Sequence, residues 1–237
     1  MDSIPLSFAN DVKNLMDNSG PLNRVESDTW HTQIQTGSSS LFLEFVKDGN
    51  FHGFQLDKAY IPLAKEDFAK NACSVSNIIV RKREKLEINE GHRLDESIVT
   101  RKLLSSNLKV TLLLEKSVDV VPAGILKILQ AVPGLTKTEA HMANPFDVLA
   151  ATEKSLCHFT AFKLNLTQEL LNSLLEWFAD MNFKQLVVDL HMESVISMSD
   201  FVEAVGEKLV ELKHKKFVMN VTLEHLNLAC GFISDNV

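Results

Sequence analysis

The sequence predicts an α/β fold in which strand and helix units repeat around a parallel sheet, preceded by a β-hairpin and a short helical segment at the amino terminus. Three observations carry this. Apolar residues recur in four alternating runs, Leu108/Val110/Leu112/Leu114 and Phe217/Met219/Val221/Leu223 in steps of two and Phe159/Phe162/Leu164/Leu166 and Phe183/Leu186/Val188/Leu190 after a first step of three, and alternation at period two makes each a strand with one buried face. Between them lie helical patterns, and Asp48-Gly49 separates two alternating apolar runs.

From the amino terminus, Phe8, Val12 and Leu15 recur at helical spacing, with Ser3 as a cap and Pro5 in the first turn, where proline is tolerated. The NSGP run at 18–21 ends this helix, and a polar stretch leads to Trp30. LFLEFV and FHGFQL then flank KDGN as the arms of a hairpin. Between Asp57 and Glu90, KEDFAKNA reads as a short helix, SNIIVRK as a strand and KLEIN as another. Ile125, Leu126, Ile128 and Leu129 mark a further helix. Leu170, Leu171, Leu174, Leu175 and Phe178 line one side of the next, opened by Thr167 as cap. Phe201, Val202, Val205, Leu209 and Leu212 line the last, opened by Ser197 and Asp200 as a capping box. Three regions follow: a helical segment at 1–30, a hairpin and connection at 31–90, and the repeats at 91–237.

Strands joined by crossovers of this length run parallel. The strand-to-strand spacing of roughly 24 to 31 residues lies within or just above that of leucine-rich repeats. Helices on one face would give a leucine-rich-repeat-like solenoid, and helices on both a doubly wound sheet. Lys163, Asn165, Asp189 and Asn220 favour the first, since a sheet covered on both faces buries such groups at a cost.

Composition narrows the function. Of 237 residues, 45% are hydrophobic and 23% charged, which suits a globular core. A net charge of −7 argues against general nucleic-acid binding, and the basic runs RKREK (81–85) and KHKK (213–216) read as solvated ends of elements. Cys73, Cys157 and Cys230 lie far apart with no C-x-x-C pair, so neither a disulfide framework nor a thiolate zinc site is expected, and a reducing compartment, cytoplasmic or nuclear, fits. The first residues lack the charged and apolar regions of a secretory signal, and no apolar run is long enough to span a membrane. The sequons at Asn165 and Asn220 are then expected to stay unmodified.

No nucleophile elbow, P-loop, dinucleotide glycine pattern or HExxH helix occurs, and nine glycines leave little for phosphate-cradling loops. No cofactor or metal is expected. Asp189 and His191 share a strand face at i and i+2, a spacing that suits a general base but is commoner as a solvated pair. Trp177 flanks an apolar stripe and reads as core before contact residue. A non-enzymatic protein-binding scaffold is the expectation. The alternative is an enzyme drawing on strand carboxyl ends at Thr167, His191, Met192 and Glu224.

Ile4-Pro5, Phe8, Val12 and Leu15, followed by Trp30, resemble an F-box, whose pattern opens Leu-Pro, continues with apolar residues at helical spacing and ends near a Trp. With the repeats, the chain resembles nematode F-box-related proteins that carry an F-box-associated strand-and-helix region. The resemblance implies an adaptor that binds a Skp-type subunit of a cullin ubiquitin ligase through Ile4, Pro5, Phe8, Val12, Leu15 and Trp30, and a target through its carboxyl-terminal region. Lys163, Asn165, Asp189 and His191 are the candidate target contacts there. The apolar residues of the opening helix serve equally well as core.

Overall fold

The computed structural model describes residues 39–56, 61–70, 75–85, 88–104, 109–152, 156–179, 183–212, 216–223 and 226–235. The opening helix, with Ile4, Pro5, Phe8, Val12, Leu15 and Trp30, lies outside them. So does Glu224.

Nine strands form one sheet: β1 (Ser39–Phe45), β2 (Phe51–Gln55), β3 (Val75–Lys82), β4 (Val110–Leu114), β5 (Leu135–Ala140), β6 (His158–Leu164), β7 (Gln185–Leu190), β8 (Lys216–Leu223) and β9 (Leu226–Asp235). Their order is β2-β1-β3-β4-β5-β6-β7-β8-β9. From β1 through β8 every neighbouring pair except the β1–β2 hairpin is parallel, and β9 closes the far edge antiparallel. The helices are α1 (Lys65–Lys70), α2 (Glu96–Leu104), α3 (Ala123–Gln130), α4 (Phe146–Thr152), α5 (Gln168–Trp177) and α6 (Met198–Leu212).

Because β3 to β8 stand in chain order, crossovers of one hand advance the sheet in the same direction and return each helix to the same side. Helices α2 to α6 accordingly each touch the next in a single layer. Strand burial agrees: Val110, Leu112 and Leu114 are buried while Thr111 and Leu113 are half-exposed, and β7 alternates in the same way. One face packs on helices, and its side chains join those of Ile125, Ile128, Leu170, Leu174, Phe201 and Val205 in a single core.

Local chemistry sets the element ends. In the hairpin, Gly49 adopts φ 84°, where an L side chain is disfavoured, and its N–H donates to the Val46 carbonyl at 2.9 Å. Asp48 Oδ1 accepts the Asn50 N–H at 3.0 Å. Thr167 Oγ1 caps α5 by accepting the Leu170 N–H at 3.3 Å, and Ser197 Oγ caps α6 by accepting the Asp200 N–H at 3.1 Å. Gly53 sits on the helix-facing side of β2, where a Cβ would meet Val99 Cγ2 of α2 at 2.8 Å. Its N–H and carbonyl pair with Leu94 at 2.9 and 2.7 Å, which occupies the free edge of β2.

Several expectations are corrected. KLEIN lies partly outside the described residues, and its last residue, Asn89, caps a 3-10 turn at Glu90–His92. Strand β5, helices α2 and α4, and strand β9 were not anticipated. In β6 the inward residue is Ala161, not Phe162: the pairing with β7 shifts between Ala161 and Leu164, Lys163 turns to φ 56°, and Phe162 faces outward, 37% exposed. A bulge adds one residue to the strand and reverses the alternation beyond it.

Candidate functional site

The face of the sheet opposite the helices presents side chains from β1 and β3 to β8. Parallel register aligns its side chains in rows. The row nearest the strand amino ends is Ser40, Asn77, Thr111, Lys137, His158, Gln185 and Val218. The middle row is Phe42, Ile79, Leu113, Glu139, Thr160, Val187 and Asn220. The two therefore differ in character, the first mostly polar, the second apolar across β1, β3 and β4 and again at Val187, ending in the exposed Asn220.

Toward the strand carboxyl ends, the third row begins at β1 and β3 with a buried charge cluster. Glu44, 4% exposed, pairs across the hairpin with His52 and across β3 with Arg81. Its Oε1 accepts from Arg81 Nε and, at 3.0 Å, from Arg83 Nε, while His52 Nε2 lies 3.6 Å from Oε2. Burial pushes the Glu44 carboxyl up, but the neighbouring His52 imidazole, the hydrogen bond from Arg83 and the charge and hydrogen bond of Arg81 outweigh it and hold the carboxyl at about 2. The Arg81 guanidinium also lies over Phe42, 4.6 Å from the ring centre, and Phe42 stacks on Phe54 at 5.0 Å. Lys82 points the other way and bonds Asp119 at 2.7 Å. The basic run at 81–85 is thus largely neutralised within the fold.

Further along this row the outward-turned Phe162 stacks on His141, ring centres 4.4 Å apart and 14° from parallel. Met192 and Val195, in the loop after β7, and Val120, in the loop after β4, are exposed along the same rim. An aromatic stack with scattered apolar neighbours offers contact area at low entropic cost.

Of the residues singled out from sequence, Lys163, Asn165, Asp189 and His191 meet at the carboxyl ends of β6 and β7. The Leu164–Leu190 register places Lys163 alongside Asp189 and Asn165 alongside His191. Lys163 and Asn165 are exposed, Asp189 and His191 half-buried. The Asn165 N–H donates to the Ala143 carbonyl at 3.0 Å, and His191 Nδ1 accepts the Glu193 N–H at 3.2 Å, tying that ring into the turn after β7. Thr167 is engaged as the α5 cap.

Sequence reasoning missed Phe42, Glu44, His52, Phe54 and Arg81. Their signal was present: in LFLEF, Phe42 and Glu44 alternate with the buried Leu41, Leu43 and Phe45, so one face of the hairpin could be read before its pairing. Phe162 and His141 could not, because the bulge that aligns them leaves no periodic mark.

Trp177 is buried, edge-on to Phe159 and packed against Phe183 with ring centres 3.9 Å apart. It belongs to the core. Among the described residues, no three His, Cys, Asp or Glu side chains gather as a metal site, and no helix is long and apolar enough to cross a membrane. No family model, no curated protein and no solved structure matches the chain.

Proposed function

We propose that the chain is a non-enzymatic protein-binding module whose leucine-rich-repeat-like open sheet face docks a partner. The observation that carries this reading is the open face itself, on which Phe42, Ile79, Leu113 and Val187 stand half-buried in one row and the His141–Phe162 stack borders it. Rigid strands hold these side chains in fixed positions, so binding loses little side-chain freedom.

In its finer form, the module is a substrate-receptor-like adaptor, intracellular and cytoplasmic or nuclear. Residues 4–15 and Trp30 engage a Skp-type subunit of a cullin ubiquitin ligase, and the open face engages the target. The support is the F-box resemblance of those residues. Two sets of variants test the two halves. Phe162→Asp with Val187→Asp is expected to abolish retention of the target while leaving circular dichroism unchanged; retention at the parent level would sink the open-face reading. Phe8→Asp with Val12→Asp and Leu15→Asp is expected to lose binding to a purified Skp-type subunit. Absence of that binding in the parent would remove the ubiquitin role and leave a scaffold for another complex.

A further inference from the structure

The row nearest the strand amino ends is unlike the rest of a chain with net charge −7. Its only formally charged or titratable members are Lys137 and His158, register partners on adjacent strands. Lys109 lies two residues before their neighbour Thr111, and Lys184 immediately precedes Gln185, the register partner of His158. Both lysines are exposed. Burial first, and then the charges of Lys184, Lys137 and Lys109, hold the His158 imidazole below its ordinary value, while a bond to the Thr136 carbonyl pulls the other way. The cations are thus close enough to act on one point. Among the described residues, Lys137 meets the acid Glu139, two residues along β5, at 2.6 Å. That pair is exposed, at 43% and 31%, so a lysine exchanging one carboxylate for another gives up little.

We propose that this row, across β4 to β7, binds an extended acidic segment of a protein partner laid across the strands. This rests on the open face being the docking surface and names the chemistry that one edge of it selects. The spacing fits. Neighbouring strands lie about 4.8 Å apart, so three intervals span roughly 14 Å, and an extended peptide rising about 3.3 Å per residue sets carboxylates at alternate positions over nearly the same length. Thr111 and Gln185 flank the cations in the row with further side-chain donors. A nucleic acid is disfavoured because the cations are one row deep. Glu139 and Asp189 stand on the same face beyond them, and a polyphosphate draws its affinity from many such contacts.

The test uses the full chain and a fluorescent peptide alternating Glu with Ser, beside the same peptide carrying Gln. Anisotropy is expected to show the Glu peptide binding at least about tenfold more tightly, a difference that shrinks in high salt. Lys137→Glu with Lys184→Glu is expected to remove that preference, and Lys208→Glu, on α6, to leave it intact. Should the double variant fail to fold, Lys109→Gln with Lys184→Gln, both outside the strands, replaces it. Equal affinity for the two peptides, or a preference surviving the charge reversal, overturns the proposal. So does a single-stranded oligonucleotide of equal charge that binds more tightly than the Glu peptide and is lost with the same lysines. If Phe162→Asp with Val187→Asp still costs the chain its target while the peptides bind alike, the acidic segment fails and the open-face reading stands.

Discussion

Glu44 is the residue whose chemistry is most tightly bound to the fold, since one carboxylate accepts from both Arg81 and Arg83 with the His52 imidazole beside it. Its folded-state value of about 2 lies below the ordinary 4.5, so folding favours the ionised form. The stability it contributes is therefore fully present above about pH 4.5 and is lost as pH falls toward 2, on the order of 3 kcal/mol in all. Glu44→Gln is expected to cost about 2–3 kcal/mol in urea unfolding at pH 7, because it leaves two guanidinium groups without their anion. The parent and variant should converge near pH 2; a gap of constant size across that range would show the loss to be one of shape and not charge. Asp95 illustrates a different residue-scale role. Its Oδ1 accepts the Ile98 N–H at 3.0 Å at the start of α2, so Asp95→Ala is expected to lower stability by about 1 kcal/mol, read from the urea midpoint.

At the scale of single elements, strands β4, β7 and β8 were legible because their inward residues are all large and apolar. Strand β5 was not, because its inward positions after Leu135 are Thr138 and Ala140 and its register shifts after that first residue. Its period-two signal is therefore nearly absent although it pairs with both β4 and β6. Helix α4 is short and announced only by Asn144-Pro145, whose asparagine Oδ1 accepts the Phe146 N–H at 3.1 Å. No Asn-Gly or Asp-Gly pair marks the connection between β8 and β9. The bulge in β6 is the element feature with the sharpest consequence. Lys163 at φ 56° occupies a region that costs a non-glycine residue about 1 kcal/mol and a β-branched one more. Lys163→Gly should therefore leave stability unchanged or raise it slightly, and Lys163→Val should lower it by about 1–2 kcal/mol in thermal or urea unfolding. If valine is accepted without loss, the bulge does not hold Phe162 in its outward position.

Across the whole molecule, sequential strand order means that neighbours in space are neighbours in chain, and such repeats can unfold piecemeal when the interfaces between units are weak. Here the interfaces are continuous on both layers: β1, β3 and β4 pair without a gap, and the buried side chains from Leu41 to Val221 form one core. The parallel sheet followed from alternation in the repeats, whereas the composition of the face opposite the helices depended on the bulge and on which strands became neighbours, neither of which leaves a local pattern. A single cooperative unit is the expected outcome, and Trp177 gives a way to see it, since it packs against Phe159 of β6 and Phe183 just before β7, far along the sheet from the hairpin. In a Trp30→Phe background, Trp177 is the one emitting tryptophan. Leu43→Ala in β1, a fully buried position, is expected to cost about 2–5 kcal/mol. If the hairpin and the repeats fold together, Trp177 emission and far-ultraviolet circular dichroism will shift to lower urea by the same amount and their transitions will coincide. If Trp177 keeps its parent midpoint while the dichroism loses amplitude early, the first strands unfold on their own, and the open face divides into two surfaces that separate partners could occupy independently.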